Sequence, residues 1–155
     1  MRSISKIPEN AYPDHPRIAA GAIVFKENKI LLVRRRNPPF KGLWAIPGGS
    51  VKLGETLQQA AERETLEETG ITVKADKPVL TFDIVERDKN RRIRFHYVVI
   101  DLMAKYEHGE LKAGDDALDV RWVSADEINR LDVSPKTLQM LKKEFNFGIT
   151  NVNRT

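Results

Sequence analysis

Cysteine is absent from the 155 residues of this chain, which excludes disulfide bridges. Its absence is compatible with a reducing cytoplasm. No apolar run approaches the roughly 20 residues of a membrane-spanning helix, and residues 1–6 lack the apolar core of a secretory signal. We therefore expect a cytoplasmic, soluble protein with no membrane partner.

Acidic residues are slightly fewer than basic ones, and the formal net charge is +4. Two interpretations stay open. The basic excess attracts anionic substrates, or it belongs to the solvated surface of a chain in which 31% of residues are charged. Aromatic residues form no basic, aromatic-rich stripe, so we expect no nucleic-acid partner.

The chain has no internal repeat and no low-complexity linker, which indicates a single domain over residues 18–148. Residues 1–17 are polar and carry three prolines, so they predict an extended N-terminal arm, and residues 149–155 form a C-terminal tail. The pattern between them predicts an α/β (α+β) fold with a mixed β-sheet covered by helices. The predicted strands are 18–25, 30–33, 43–46, 71–73, 79–86, 92–103 and 117–123, and the predicted helices are 56–68, a short one after 124, and one after 134.

The helix predicted over residues 56–68 carries acidic side chains within its apolar stripe. Glu64 and Glu68 are four residues apart and share one face, and Glu67 lies at the edge of that face. Like charges at this spacing destabilise a helix, and burying them without partners costs much more. A divalent cation such as Mg²⁺ or Mn²⁺ relieves both costs, because these ions prefer oxygen ligands. A solvated acidic face paired with Lys or Arg is the alternative.

The segment before this helix decides between a metal site and a solvated acidic face. Gly48 and Gly49 follow Pro47, and glycine lets the backbone approach a ligand closely, although Pro-Gly-Gly alone is more typical of an ordinary turn. From Gly49 the pattern continues through Glu55, Arg63-Glu64, Glu67-Glu68, Gly70 and Ile71. This combination resembles the Nudix box, G-x5-E-x7-R-E-U-x-E-E-x-G-U, where U is a bulky aliphatic residue. Thr65 is the one departure, and as a β-branched residue it can still pack.

The resemblance implies a Nudix hydrolase, with the family's α/β/α sandwich in which a mixed sheet lies between helices. It implies cleavage of a diphosphate bond in a nucleoside-diphosphate compound, with Mg²⁺ as cofactor and Mn²⁺ as a substitute. Bound divalent ions would neutralise the diphosphate and lower the pKa of a bound water. Glu64, Glu67 and Glu68 are implied as metal ligands, with Glu64 as ligand or base, and the Gly48 carbonyl as a further ligand.

Three further roles follow from the resemblance. Glu55 would pair with Arg63 and hold the loop against the helix. Asp115 and Asp116 lie where related enzymes often supply another acid, and we take Asp116 as the candidate ligand, with a solvated turn as the alternative. N-terminal segments pack across the partner in several related dimers, so residues 1–17 predict a homodimer, with a frayed tail as the alternative.

The likeness to small ADP-ribose pyrophosphatases extends over roughly residues 12–140, through segments such as Asn37-Pro38-Pro39 and His96-Tyr97-Val98-Val99-Ile100-Asp101. It implies hydrolysis of ADP-ribose to AMP and ribose 5-phosphate. A nucleoside-triphosphate pyrophosphohydrolase that removes damaged nucleotides, such as 8-oxo-dGTP, is the alternative enzyme. A non-catalytic nucleotide-sensing module is the alternative from another class.

Candidate substrate-binding residues come from the arginine run and the aromatic side chains. Guanidinium binds phosphate in bidentate fashion. Strand alternation places Arg34 and Arg36 on one face and Arg35 on the other, so all three cannot serve one site, and we take Arg34 and Arg36 as the pair. The candidates for stacking on adenine, with core packing as the alternative for each, are Phe40, Phe95 and Tyr97.

Overall fold

A computed structural model describes residues 7–148 of the chain. Residues 1–6 of the predicted arm and the predicted tail, 149–155, lie outside that range. The strands are β1 (Arg17–Lys26), β2 (Lys29–Arg35), β3 (Trp44–Ala45), β4 (Gly48–Ser50), β5 (Ile71–Arg87), β6 (Ile93–Gly109) and β7 (Ala117–Ser124). The helices are α1 (Leu57–Thr69) and α2 (Pro135–Phe145), with a 3-10 turn at Ile128–Arg130.

The strands form one mixed sheet, as the sequence predicts. Its main path runs β3-β2-β1-β6-β5, with β4 paired to β1 and β7 paired to β2. β1 and β6 are parallel, and the other pairs are antiparallel. Glu27 and Asn28 both have positive φ in the turn between β1 and β2, which suits a two-residue hairpin.

α1 and α2 cover opposite faces of this sheet. Because side chains alternate along a strand, β1 sends Ala20 and Ala22 into the core under α1 and Ile23 into the core under α2. Ala60 and Ala61 of α1 are completely buried in the first core. The predicted α/β/α sandwich, with the mixed sheet between helices, is therefore confirmed.

α1 has a defined cap at each end. The Thr56 side chain accepts the backbone N–H of Gln59, and the Gln59 side chain accepts the backbone N–H of Thr56, which is a capping box. Gly70 ends the helix with a φ of 77°, the left-handed conformation that favours glycine. Thr65 is fully buried, and its hydroxyl donates to the Ala61 carbonyl. The caps and this packing fix which face of α1 meets the sheet.

The segment after β3 is where the strand prediction fails. The sequence predicts a strand that ends at residue 46 and is followed by a turn, but Gly48–Ser50 forms β4, paired with Ala19, Ala20 and Gly21 of β1. A Cβ on Gly48 would lie 2.6 Å from the Ala20 carbonyl oxygen. Glycine therefore allows this close backbone approach instead of merely ending a strand.

Two other element boundaries differ from the sequence prediction. β5 and β6 are each 17 residues long, because they stay paired through register shifts around Pro78 where the pattern predicts separate, shorter strands. The helix predicted after Ser124 is only a 3-10 turn. Ser124 and Glu127 nevertheless make both reciprocal capping hydrogen bonds.

Candidate active site

A cavity of about 550 Å³ opens on the side of the sheet that faces α2, a volume typical of small-molecule sites. Alternate residues of β5 and β6, together with residues 19–21 of β1, make its floor. Glu64 and Glu68 of α1 stand at one side with β4, and residues 8–10 and 37–40 stand at the other. The start of α2 closes the remaining side. The cavity therefore connects the acidic part of α1 with a broad sheet surface.

Arg63 ties the loop before α1 to the helix. Its Nε and Nη2 donate to the two carboxylate oxygens of Glu55 at 2.7 and 2.9 Å, and Nη2 also donates to the Ser50 carbonyl at 3.0 Å. The hydrogen bonds from Arg63 lower the pKa of Glu55 to about 2, and Glu55 raises the pKa of Arg63. Both groups are therefore charged at neutral pH, and the bidentate pair holds β4 against α1.

The three acidic residues of α1 do not converge on one point. Glu68 is 6% exposed and accepts the Gly48 N–H at 3.1 Å. Glu64 also faces the cavity and accepts from Arg63 Nη1 at 2.9 Å. Glu67 has a 55% exposed side chain and accepts from the same Nη1 at 3.2 Å. The structure thus places Glu64 and Glu68 in the cavity and Glu67 outside it, at a smaller recess that Glu68 also borders.

The carboxyl groups of Glu68, which is buried, and Glu64, which is half-buried, repel each other. Burial, followed by the charge of Glu64, raises the pKa of Glu68, whereas the Gly48 N–H lowers it. A Cβ on Gly49 would lie 2.5–2.7 Å from the carboxyl atoms of Glu64. The absence of a side chain at Gly49 therefore gives Glu64 its position beside Glu68.

The donor set at this pair fits a hard divalent cation. No group of three acidic or histidine side chains within residues 7–148 is gathered closely enough to hold a metal ion without rearrangement. However, Glu64 and Glu68 offer oxygen ligands in contact, and Glu67 and Asp116 border a smaller recess that also contains Glu68. Mg²⁺ commonly takes one or two protein carboxylates and keeps several waters. A cation here would relieve the repulsion that raises the pKa of Glu68.

Asp116 reaches the same side of the cavity from the loop before β7. The Gly114 N–H donates to the Glu68 carbonyl at 3.0 Å, which pins this loop to the end of α1. Asn37 Nδ2 donates to Asp116 Oδ1 at 3.4 Å. The structure therefore brings Asp116 near Glu67 and Glu68, on the rim of the cavity.

The arginine run meets the cavity through Arg35, and the structure does not place Arg34 or Arg36 there. Arg34 and Arg35 do alternate in direction, but Arg34 Nε donates to the Gly42 carbonyl at 3.0 Å, away from the cavity. β2 ends at Arg35, and its pairing with β7 shifts register between Arg34 and Arg35. The choice of Arg34 and Arg36 as the phosphate-binding pair therefore needs correction in favour of Arg35.

The three aromatic candidates divide between cavity and core. Phe40 and Tyr97 line the cavity, and the Tyr97 hydroxyl accepts from Asn10 Nδ2 at 2.9 Å. Phe95 is completely buried in a small core with Tyr97 and Ala19 and does not reach the cavity. Its expected stacking role is therefore replaced by core packing, the alternative interpretation.

Several residues that line the cavity were not identified as site residues from the sequence. Asn10 and Arg17 approach from the N-terminal segment, and Phe82 lies on the floor. Arg17 Nε is the single enclosed side-chain atom within residues 7–148 that has no hydrogen-bond partner. Asp101 also lines the cavity at 4% exposure, and burial raises its pKa to about 7. The sequence does contain an indication of a site at Asp101, since it is the one acidic residue in the apolar run 97–104.

The sequence features of this site agree with a described family. The model of the NUDIX domain matches residues 15–143. This chain belongs to the Nudix family. It is a Nudix hydrolase, and members of the family generally use divalent metals.

Individual Nudix proteins are similar over most of the chain. The ADP-ribose pyrophosphatase of Methanocaldococcus jannaschii is 38% identical over 117 residues, which are 76% of this chain and 67% of that protein. A Nudix hydrolase structure from Nitrosomonas europaea has a TM-score of 0.67 and 28% identity, and the match covers 85% of this chain and 74% of that chain.

A further structure contains ligands. It is a bifunctional NMN adenylyltransferase/ADP ribose pyrophosphatase from Francisella tularensis, complexed with AMP and a manganese ion. Its TM-score is 0.60 with 28% identity, and the match covers 83% of this chain and 40% of that chain.

The helix content of the described part adds one negative finding. Within residues 7–148, neither helix is long and apolar enough to cross a membrane.

Proposed function

We propose that this Nudix hydrolase cleaves ADP-ribose to AMP and ribose 5-phosphate, with Mg²⁺ as its metal. The observation that carries the proposal is the cavity, which extends from Glu64 and Glu68 across the sheet to Tyr97. A substrate with groups on both sides of its diphosphate needs such an extended surface. The 38% identity to an ADP-ribose pyrophosphatase supports the same substrate.

The metal would be held by Glu64 and Glu68, with Glu67, Asp116 and the Gly48 carbonyl as additional ligands. When bound, a divalent ion neutralises the diphosphate and lowers the pKa of a water molecule. Glu64 serves as a ligand or as the base that accepts a proton from water. Its contact with Glu68 is suited to either role.

The remaining residues act by position and charge. Arg63 keeps β4 and α1 together through Glu55, so that the acidic residues stay in register with the glycine backbone. Arg35 lines the cavity and can donate two hydrogen bonds to a phosphate oxygen pair. Phe40 and Tyr97 provide surfaces for a base or sugar. Most of the rate enhancement would come from this positioning and from electrostatic stabilisation.

Steady-state kinetics at one Mg²⁺ concentration tests the substrate. The substrates are ADP-ribose, ATP, dGTP and 8-oxo-dGTP, with product identification for each. We expect ADP-ribose to have the highest kcat/KM, because groups that hydrogen-bond a substrate hydroxyl can reject analogues by roughly 10⁴-fold, whereas apolar contacts give about 10–200-fold. A triphosphate that is better by tenfold or more would replace this proposal with the nucleotide-cleaning one.

Metal removal tests the cofactor in the same assay. We expect exhaustive chelation to abolish product release, and added Mg²⁺ or Mn²⁺ to restore it. Turnover that persists after chelation would overturn the assignment of a metal to Glu64 and Glu68.

A further inference from the structure

Asp101 is a buried acid that the proposed chemistry does not use. It lines the cavity, is 4% exposed, and belongs to the centre of β6. Burial is the only cause of its raised pKa, so no hydrogen bond or charged neighbour stabilises its carboxylate. Its carboxyl oxygens are not fully enclosed, and the space that they face is the cavity. Burying a carboxyl group without a hydrogen-bond partner is unfavourable, and a ligand that hydrogen-bonds to it would remove this cost.

The sheet register gives the position of Asp101 relative to the acidic end of the cavity. Asp101 pairs with Gly21 of β1, and Gly21 pairs with Gly48 of β4, whose N–H binds Glu68. Two strand spacings place the Cα atoms of Asp101 and Gly48 roughly 10 Å apart. Asp101 therefore lies two strands away from the backbone that holds Glu68, within the same cavity.

The surroundings of Asp101 favour a base over a sugar. A Cβ on Gly21 would lie 2.6 Å from Asp101 Oδ1 and 3.1 Å from Ile46 Cδ1, so the carboxyl group packs against the Gly21 backbone beside an aliphatic side chain. Leu80, the other strand partner of Asp101, packs in the same apolar core as Ile46. A sugar presents hydroxyl groups on many sides and needs several polar partners. A flat base needs apolar walls and one polar group at its edge.

We propose that Asp101 is a specificity-determining residue that binds the edge of the substrate's adenine through its neutral carboxyl group. The carboxyl O–H donates to adenine N1, and the carbonyl oxygen accepts from the 6-amine. The ionised form has two acceptors and no donor, so it faces the N1 lone pair without a hydrogen bond. This assignment rests on the proposed function for its choice of an adenine nucleotide, and it adds the group that reads the base.

The proposal makes adenine binding depend on pH. With a pKa of about 7, Asp101 is mostly neutral at pH 6 and mostly ionised at pH 8.5. Adenine binding therefore weakens as pH rises, and guanine, which offers two N–H donors on its edge, gains relative to adenine. The other charged side chains that line the cavity are Glu9, Arg17, Arg35, Glu64, Glu68, Asp116 and Lys136. Variants that change only Asp101 separate its titration from theirs.

Calorimetric binding of AMP to the full chain with Mg²⁺, at pH 6 and pH 8.5, tests the inference without any turnover. For the wild type we expect at least about tenfold weaker binding at pH 8.5, which is the effect of losing roughly 1.4 kcal/mol of interaction. Asp101→Asn retains one donor and one acceptor, so the Asp101-dependent loss should disappear. Asp101→Leu removes both, so AMP should bind about tenfold more weakly than to the wild type at pH 6. Purine riboside 5′-monophosphate lacks the 6-amine. Its affinities for the wild type and for Asp101→Leu should therefore differ less than the affinities of AMP for the same two proteins.

Asp83→Asn is the matched control. Asp83 is an exposed carboxylate on the neighbouring strand β5 and does not line the cavity, so its variant should behave as the wild type.

Equal AMP affinity in the wild type and both Asp101 variants, an unchanged pH dependence in Asp101→Asn, or no AMP binding at all would overturn the inference. ADP-ribose turnover with no effect of the Asp101 variants on AMP binding refutes this inference alone. AMP binding that depends on Asp101 in an enzyme that prefers a triphosphate refutes the proposed substrate alone.

Discussion

Glu68 shows how one residue concentrates the chemistry of the site. It is buried, it accepts the Gly48 N–H, and it touches Glu64. Glu68→Gln keeps the volume and an acceptor for Gly48 but removes the charge. We expect kcat to fall by at least about 100-fold, because metal-dependent charge neutralisation is weakened, while thermal stability is kept or increased. Steady-state kinetics with circular dichroism melting checks this, and Glu107→Gln, at an exposed site on β6, is the control. A folded Glu68→Gln protein with near-normal turnover would count decisively against the site.

The buried carboxyl group of Asp101 should make the stability of the folded protein depend on pH. Its pKa is about 7 in the folded protein, against 3.8 for an ordinary aspartate. The folded state therefore binds the extra proton between about pH 4 and pH 7, and the free energy of unfolding falls as pH rises through that window. Three pKa units correspond to at most about 4 kcal/mol. Urea unfolding at pH 5 and pH 8 should show Asp101→Asn gaining stability over the wild type as pH rises. A pH-independent difference between the two proteins would contradict the burial of this carboxyl group.

At the scale of elements, β4 and α1 act as a matched pair. A Cβ on Gly49 would meet the carboxyl group of Glu64 at 2.5–2.7 Å, and Gly49 does not have a positive φ that would itself exclude alanine. Gly49→Ala should therefore displace Glu64 and reduce kcat by about tenfold or more, a loss of at least 1.4 kcal/mol in transition-state stabilisation, with little change in Tm. A double-mutant cycle with Glu64→Ala isolates the cause. The two effects should be strongly non-additive, and additive effects would mean that Gly49 acts through another contact.

At the scale of the whole molecule, the described part of the N-terminal arm packs against its own chain beside the cavity. Within its described part, the Tyr12 N–H donates to the Arg94 carbonyl at 2.8 Å, and Asn10 reaches Tyr97 of the same chain. The dimer expected through residues 1–17 stays a prediction. Light scattering at micromolar concentration should give a mass of twice the 17.7 kDa chain, and removal of residues 1–6 should reduce the dimer fraction. A monomer mass alone, in the full chain, would refute it.

Local sequence determined much of the fold and the acidic half of the site. Thr56, Gln59 and Gly70 define α1 by local hydrogen bonds and a left-handed cap, so the helix is readable from adjacent residues. The four-residue spacing places Glu64 and Glu68 on one face of any helix at that position. The pattern of apolar residues likewise predicts a mixed sheet between helices. The family follows from the spacing of Gly49, Glu55 and the acidic residues, which one short segment carries.

Only the tertiary structure decided what lies opposite that segment. Arg35 is in the cavity and Arg34 is outside it, because the pairing of β2 with both β3 and β7 sets which face meets the cavity. Phe95 and Tyr97 are two residues apart in one strand, yet Phe95 is enclosed and Tyr97 reaches the cavity. Asp101 pairs with Gly21, and Gly21 pairs with Gly48, only because strands come together from positions about 80 and about 27 residues apart in the chain. Alternation and helical period are local properties of a chain, whereas the identity of the facing element depends on how distant strands come together.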